Sequence, residues 1–158
     1  MTDGLFERVL LPVADDEDAR TTCRAVRPHL EAAGGRAVAV HVIEKAGGAP
    51  DKASVEQREL NAEEIFDVVR GTLSGLDVET EITYGTDVAE AIFDAAAEVD
   101  ATAIVFTPRS GSRWVRLLTG DVALDLITDT DRPVVVLPDE SDADASEGKS
   151  SSSAGGKT

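Results

Sequence analysis

Short apolar runs and longer stripes of helical period alternate along this chain. Four of the runs are continuous and rich in Val, Ile and Leu, which is typical of strands buried on both faces of a sheet. They are FERVLLPV (6–13), RAVAVHVIE (36–44), ATAIVF (101–106) and RPVVVLP (132–138). A fifth segment, DVETEITY (77–84), alternates polar and apolar residues, as a strand nearer the edge of a sheet does.

The segments between these runs have helical periodicity. Residues 17–33 carry apolar side chains at steps of four and three, and two glycines end the pattern. A second helix is predicted up to about Leu73 and a third around 88–96. A short fourth helix is predicted to carry Val122, Ala123, Leu126 and Ile127. Because crossovers of this length make strands parallel, the sequence predicts an α/β fold with an open five-stranded parallel sheet and helices on both faces.

Composition changes after Pro138, where acidic and then Ser/Gly-rich sequence begins. We predict one domain over 1–138 and a disordered tail over 139–158. No stretch approaches the roughly 18 apolar residues of a membrane span, and the first residues lack the features of a signal peptide. A single cysteine, Cys23, cannot form an intrachain disulfide. We therefore expect a soluble cytoplasmic protein.

The charge balance is strongly acidic, with 31 acidic and 15 basic residues and a formal net charge of −16. Like charge repels nucleic acids and anionic membranes, so neither is an expected partner. The acidic residues occur in every predicted helix rather than in the tail alone. In molar salt the Debye length falls to roughly 3 Å, and such a surface is then screened from its own repulsion. The pattern favours a halophilic protein over an ordinary acidic one.

Ligands of open parallel sheets bind beyond the carboxyl ends of the strands. The loop after the first strand, residues 14–18, contains no glycine, which excludes a GxGxxG dinucleotide turn. We expect Asp16 or Asp18 to cap the first helix. His29, His41 and Cys23 have no metal-ligand spacing and no nucleophile pattern, so structural roles are expected. No catalytic or metal site is predicted, whereas Trp114 fits a partner anchor or burial equally well.

The loop after Phe106 combines arginines with small residues in an otherwise acidic chain. It contains Arg109, Arg113 and Arg116 together with Ser110, Gly111, Ser112 and Gly120. Small residues before a helix N-terminus can form an anion cradle from backbone N–H groups. Alternatively, the arginines neutralise carboxylates of nearby helices. The spacing alone leaves both interpretations open.

Several of these segments resemble the universal stress protein (UspA) family. VLLPVADDEDA is similar to the family's first strand and loop, VAVHVIE to its second strand, ATAIVFTPRSG to its fourth strand and RPVVVLP to its last. The resemblance covers residues 5–138. It implies a Rossmann-like sheet with strand order 3-2-1-4-5 and a homodimer that pairs through the last strand, at Val134, Val135, Val136 and Leu137.

Nucleotide-binding members of that family carry the motif G-x2-G-x9-G-(S/T) after the fourth strand. When the motif is aligned with this chain, Thr107 and Ser110 stand in place of its first two glycines. The third glycine is present as Gly120, and Asp121 stands in place of the Ser or Thr. The family's aspartate in the first loop falls on Ala14. Glycine permits the close backbone approach that phosphates need, and Asp121 would place a carboxylate in the anion site. The motif is therefore degenerate.

The resemblance implies a stress-response or regulatory module, not an enzyme, that binds ATP weakly or not at all. Its partners would be a second copy of the chain and a regulated protein or transporter. The rival interpretation is an ATP- or AMP-binding switch with a phosphate loop rebuilt over 107–121. The candidate nucleotide site consists of Val13, Ala14, Val42, Thr107, Arg109, Ser110, Ser112, Arg113, Gly120 and Asp121.

Overall fold

The computed structural model describes residues 4–45, 52–107 and 128–138. Strands and helices alternate from residue 8 to residue 106, as the sequence predicts. The strands are β1 (Arg8–Pro12), β2 (Arg36–Glu44), β3 (Asp77–Gly85), β4 (Ala103–Phe106) and β5 (Val134–Val136). The helices are α1 (Asp16–Ala33), α2 (Lys52–Thr72) and α3 (Val88–Glu98). The predicted fourth helix and the predicted tail lie outside the described residues.

The five strands form one open sheet in the order β3-β2-β1-β4-β5, and every pairing is parallel. The α/β fold class and its strand order are confirmed. The alternating segment that predicted an edge strand is β3, which lies at one edge over nine residues. β5 lies at the other edge and is only three residues long.

Helices cover both faces of the sheet, and each face has its own apolar core. Alternate residues of β1 point to opposite faces. Leu11 packs with α1 and α2, while Leu10 packs with α3. Phe66 of α2 fills the first core and Phe106 of β4 the second, and both are at most 1 % exposed. The continuous apolar runs in the sequence therefore reflect burial on both faces.

The junction between α1 and β2 requires two glycines for different reasons. Gly34 has a φ of 64°, the left-handed conformation that commonly ends a helix. Gly35 lies so close to the carbonyl oxygen of Phe6 that a Cβ at this position would overlap it. The helix stop predicted from the sequence is therefore confirmed. A side chain at Gly34 would be strained by the positive φ, whereas one at Gly35 would require the backbone to shift.

Two arginines satisfy carbonyl groups at helix C-termini, which have no partner inside the helix. Arg27 of α1 donates to the carbonyl oxygens of Thr72 and Ser74, both at 2.9 Å, and so joins α1 to the end of α2. Arg132 donates to the carbonyl oxygens of Ala96 at 2.9 Å and Ala101 at 3.1 Å. The planar guanidinium suits two acceptors at once, which a lysine could not match. Arg27 therefore ties two helices together, and Arg132 ties the end of α3 to the segment that precedes β5.

No helix among the described residues is long and apolar enough to cross a lipid bilayer.

Candidate functional site

The carboxyl ends of β1 and β2 are held together by a histidine. His41, which is 6 % exposed, contacts the Val13 carbonyl oxygen through Nδ1 at 2.8 Å. Since a carbonyl oxygen only accepts, Nδ1 is the protonated nitrogen in this contact. The Val13 N–H in turn donates to the Val40 carbonyl oxygen at 2.9 Å. His41 therefore has a structural role of the kind expected, and it sets where the first loop leaves the sheet.

The acidic loop after β1 is used to start α1, but not by the residues predicted. Asp15, in an extended backbone conformation with φ of −153°, accepts the Asp18 N–H on Oδ1 at 2.8 Å. The expected cap, Asp16 or Asp18, is wrong: Asp16 is already in the first turn, and Asp18 is buried. Three acidic residues in the first turn also favour the positive end of the helix dipole. The Asp15 carboxylate, adjacent to Ala14, therefore serves as the N-cap of α1.

The end of β4 is tied to α1 by two buried hydroxyl groups. The Oγ1 atoms of Thr22 and Thr107 lie 2.8 Å apart, and neither residue is exposed. Thr107 stands where the family motif has its first glycine, so its side chain fills space that a glycine would leave open. Its hydroxyl group faces α1. The carboxyl end of β4 is therefore anchored to α1 by a buried side-chain contact.

A cleft of about 330 Å³ opens beyond the carboxyl ends of β1 and β2, on the side covered by α2. It is lined by Ala14, His41, Val42, Ile43, Glu44, Lys45, Arg58 and Asn61. With His41 neutral, the lining has one carboxylate and two cations, so its formal charge is +1 in a chain of −16. The volume is within the usual range for small-molecule sites.

Arg58 closes one side of this cleft. It donates to the Glu44 carbonyl oxygen at 2.8 Å, which holds its guanidinium over the end of β2. Asn61 follows three residues later and therefore lies on the same face of α2. Sequence analysis missed both residues. Their spacing on one helix face was a signal, but nothing in the sequence indicates that this face meets the end of β2.

The structure places four of the ten candidate nucleotide-site residues, and it separates them into two pairs. Ala14 and Val42 line the cleft, whereas Val13 and Thr107 are at most 1 % exposed. The remaining six lie outside the described residues: Arg109, Ser110, Ser112, Arg113, Gly120 and Asp121. Arg116 and Trp114 also lie outside. The first-loop and second-strand part of the predicted site is therefore brought together at one cleft.

Cys23 lies on the buried face of α1 and is completely inaccessible. Burial raises the pKa of its thiol to about 12, which keeps it protonated. The expected role as a small buried side chain agrees with this environment. Among residues 4–45, 52–107 and 128–138, no group of three or more His, Cys, Asp or Glu side chains could hold a metal ion.

The open parallel sheet with helices on both faces makes this chain a Rossmann-like α/β domain, and its cleft lies beyond the carboxyl ends of two strands, where ligands of such sheets generally bind. The sequence profile described as the Universal stress protein family matches residues 5–138. The chain belongs to this family. No curated protein sequence is significantly similar to it.

Solved structures of the family share the fold at low sequence identity. A universal stress protein from Archaeoglobus fulgidus, solved in complex with dAMP, is 23 % identical with a TM-score of 0.59 over 85 % of this chain and 99 % of its own. A family member from Burkholderia pseudomallei is 24 % identical with a TM-score of 0.64, over 85 % and 98 %. A universal stress protein in complex with cAMP is 17 % identical with a TM-score of 0.59, over 85 % and 98 %.

Proposed function

We propose that this chain is a homodimeric stress-response or regulatory module, without enzymatic activity, that does not bind ATP tightly. The observation that carries the proposal is the first loop. A methyl group, that of Ala14, lines the cleft where the resemblance places an aspartate. The next carboxylate, Asp15, accepts the Asp18 N–H and caps α1. The loop therefore has no carboxylate at the family's position, and the carboxylate next to it is oriented by the N-terminus of α1 and does not line the cleft.

The phosphate end of the site supports the same proposal. The resemblance places the first motif glycine at Thr107, whose side chain is buried against Thr22 at 2.8 Å. A threonine at this position lacks the backbone freedom that a glycine gives to a phosphate-binding loop. In the sequence, Asp121 stands in place of the motif's hydroxyl residue and adds a negative charge. The proposal therefore rests on both ends of the nucleotide site.

Calorimetric titration with ATP tests this proposal directly. We expect no saturable heat at micromolar ATP, in the salt concentration at which the protein is most stable. The Ala14→Asp variant restores the acidic group at the cleft wall, and Ala14→Asn is its matched control without charge. Restored binding in Ala14→Asp would identify the first loop as the decisive change, whereas a micromolar dissociation constant in the parent protein would overturn the proposal.

The dimer part of the proposal rests on β5. The Ile104 N–H donates to the Pro133 carbonyl oxygen at 2.9 Å, and the Leu137 N–H donates to that of Phe106 at 3.0 Å. Since successive residues of a strand direct their backbone groups to opposite sides, Val134 and Val136 direct theirs away from β4. Such an apolar edge favours pairing with a second copy about a two-fold axis.

A second function, an adenine-nucleotide switch, is favoured by the cleft itself. Lys45 and Arg58 give its lining a net positive charge, and Val42 and Ile43 add apolar surface suited to a base. Relatives of the same fold have been solved with dAMP and cAMP. Titration with AMP and cAMP beside ATP separates the two functions. Saturable AMP binding that is weakened about tenfold in Arg58→Gln, but not in Arg70→Gln outside the cleft, would establish the switch.

A further inference from the structure

We propose that the open edge of β3 binds an extended, Lys/Arg-rich segment of a partner protein, which adds to the sheet as a sixth strand. The proposal rests on the free backbone groups of this edge, the carboxylates that flank it on one face, and the neutralised arginine on the other. It concerns the end of the sheet opposite β5 and is independent of the cleft.

The backbone of β3 offers a long pairing surface. β2 and β3 pair over nine residues, and the Lys45 N–H donates to the Gly85 carbonyl oxygen at 2.9 Å. Gly85 therefore directs its backbone groups toward β2, and by alternation so do the other odd-numbered residues of the strand. The outward-facing residues are Val78, Thr80, Ile82 and Tyr84. Within the described parts of the chain, no other element of the fold pairs with their eight backbone N–H and C=O groups.

The face of β3 that meets α3 is acidic. Asp77 pairs with Arg36 at 3.9 Å, whereas Glu79 and Glu81 follow on the same face, opposite Val38 and Val40 of β2. Burial raises the pKa of the Glu81 carboxyl. Repulsion from Glu98 of α3, a hydrogen bond with Glu98 and repulsion from Glu79 raise this pKa further. An ammonium or guanidinium group placed here would relieve this repulsion.

The opposite face of β3 also meets carboxylates, but they belong to α2 and each has a partner. Glu59 accepts a hydrogen bond from the Tyr84 hydroxyl, and the other two pair with Arg70. Arg70 of α2 donates to Thr80 Oγ1 at 3.1 Å and pairs with Glu63 at 3.7 Å and Asp67 at 3.0 Å. Its neighbours on the strand, Val78 and Ile82, pack against the core. A strand added here would therefore meet apolar side chains and carboxylates that already have partners on one face, and carboxylates that repel each other on the other.

This asymmetry specifies the occupant. Side chains of a strand alternate between faces, so basic residues at every second position would all meet the carboxylates, with apolar or hydroxyl residues between them. A second copy of β3 does not fit, because it would bring its own carboxylates against those of the first. The same charges that exclude self-pairing thus select a basic segment. Backbone hydrogen bonds would supply affinity, and the carboxylates specificity.

A synthetic probe tests the proposal. It is a labelled, capped peptide of about seven residues, a typical strand length, in which lysine alternates with threonine or valine. Fluorescence anisotropy with the full chain, at the lowest KCl concentration that keeps the protein folded, is expected to give saturable binding. The matched control peptide has glutamate in place of lysine and is expected not to bind. No saturable binding of the lysine peptide would overturn the proposal.

Two further changes separate strand addition from simple charge attraction. Proline at position 80 removes an outward-facing N–H without breaking a hydrogen bond between β2 and β3. Thr80→Pro is therefore expected to weaken peptide binding at least about tenfold. The control Thr80→Val keeps this N–H and is expected to retain binding. Glu79→Gln and Glu81→Gln are each expected to weaken binding about threefold. Circular dichroism checks that each variant is folded. Equal binding by folded Thr80→Pro, or by a peptide N-methylated at alternate residues, would overturn the proposal.

Discussion

The two edges of the sheet differ in length and in chemistry. β3 pairs with its neighbour over nine residues and carries three carboxylates on one face, Asp77, Glu79 and Glu81, whereas β5 is three valines long. Val136 of β5 is 48 % exposed, and nothing charged interrupts the strand. An edge strand is a hazard when it invites unselected pairing, and charge is a common protection. Here the long edge has that protection and the short edge does not, so we expect charge rather than length to decide which edge pairs with its own copy.

The largest effect is expected from adding a charge to the β5 edge. Val136→Lys would place two ammonium groups near each other across a two-fold pairing, so the dimer dissociation constant is expected to rise at least about a hundredfold. Val136 is the better position than Val135, because Val135 packs against the core. Val136→Thr is the matched control and should remain dimeric. Light scattering coupled to gel filtration measures the change, and a parent protein that is monomeric at tens of micromolar would refute the pairing.

Removing charge from the β3 edge should make it resemble β5. The double variant Glu79→Val and Glu81→Val leaves a long apolar edge with free backbone groups, and we expect concentration-dependent self-association beyond the dimer. Glu56→Val and Glu64→Val, both exposed on α2, remove equal charge away from the edge and serve as control. Analytical ultracentrifugation distinguishes the two. If both doubles associate equally, net charge rather than edge position protects the molecule.

Salt should act on the whole acidic surface and on the β3 edge in particular. We propose that the net charge of −16 is an adaptation to molar salt, in which exposed carboxylates are screened from each other. The melting temperature is expected to rise by roughly 10 °C between low and molar KCl, which corresponds to a few kcal/mol. The melting temperature of the double variant Glu79→Gln and Glu81→Gln should depend less steeply on the KCl concentration. A flat profile in the parent protein would remove the halophilic interpretation.

The fold was predictable because its strands are buried on both faces. The bounds of β2 match the apolar run 36–44, and the alternation in 77–84 correctly indicated an edge strand. β5 is shorter than the run 132–138 that predicted it, since the prolines at both ends have no N–H to contribute. The apolar pattern was therefore enough for the five strands and the three helices that the structure describes.

The site was less predictable because it depends on which helix face meets which strand end. Three acidic residues follow Asp15, and only the extended backbone at Asp15 shows that it is the cap. Arg58 and Asn61 are distant from Ala14 in sequence, and the crossover from β2 through α2 brings them to the same cleft. The family resemblance located Ala14 and Val42 but gave no information on α2.

The smallest effect is expected from a single neutral substitution on the β3 edge. Because the pKa of Glu81 is raised in the folded protein, its protonated form is favoured by folding. The stability that it contributes is fully present below the unfolded pKa and is lost as pH rises through the folded pKa. At neutral pH the charged carboxylate therefore opposes folding, and Glu81→Gln should be more stable than the parent by about 0.5 kcal/mol, a modest value because the group is only partly buried.

The difference in stability between Glu81→Gln and the parent should vanish below about pH 4, where the parent side chain is neutral as well. Urea unfolding at both pH values measures it, with Glu56→Gln as the control for loss of one exposed charge. If the gain at neutral pH is the same in both variants, the repulsion between Glu81 and Glu98 does not weaken the fold, and the difference between the two edges lies in pairing alone.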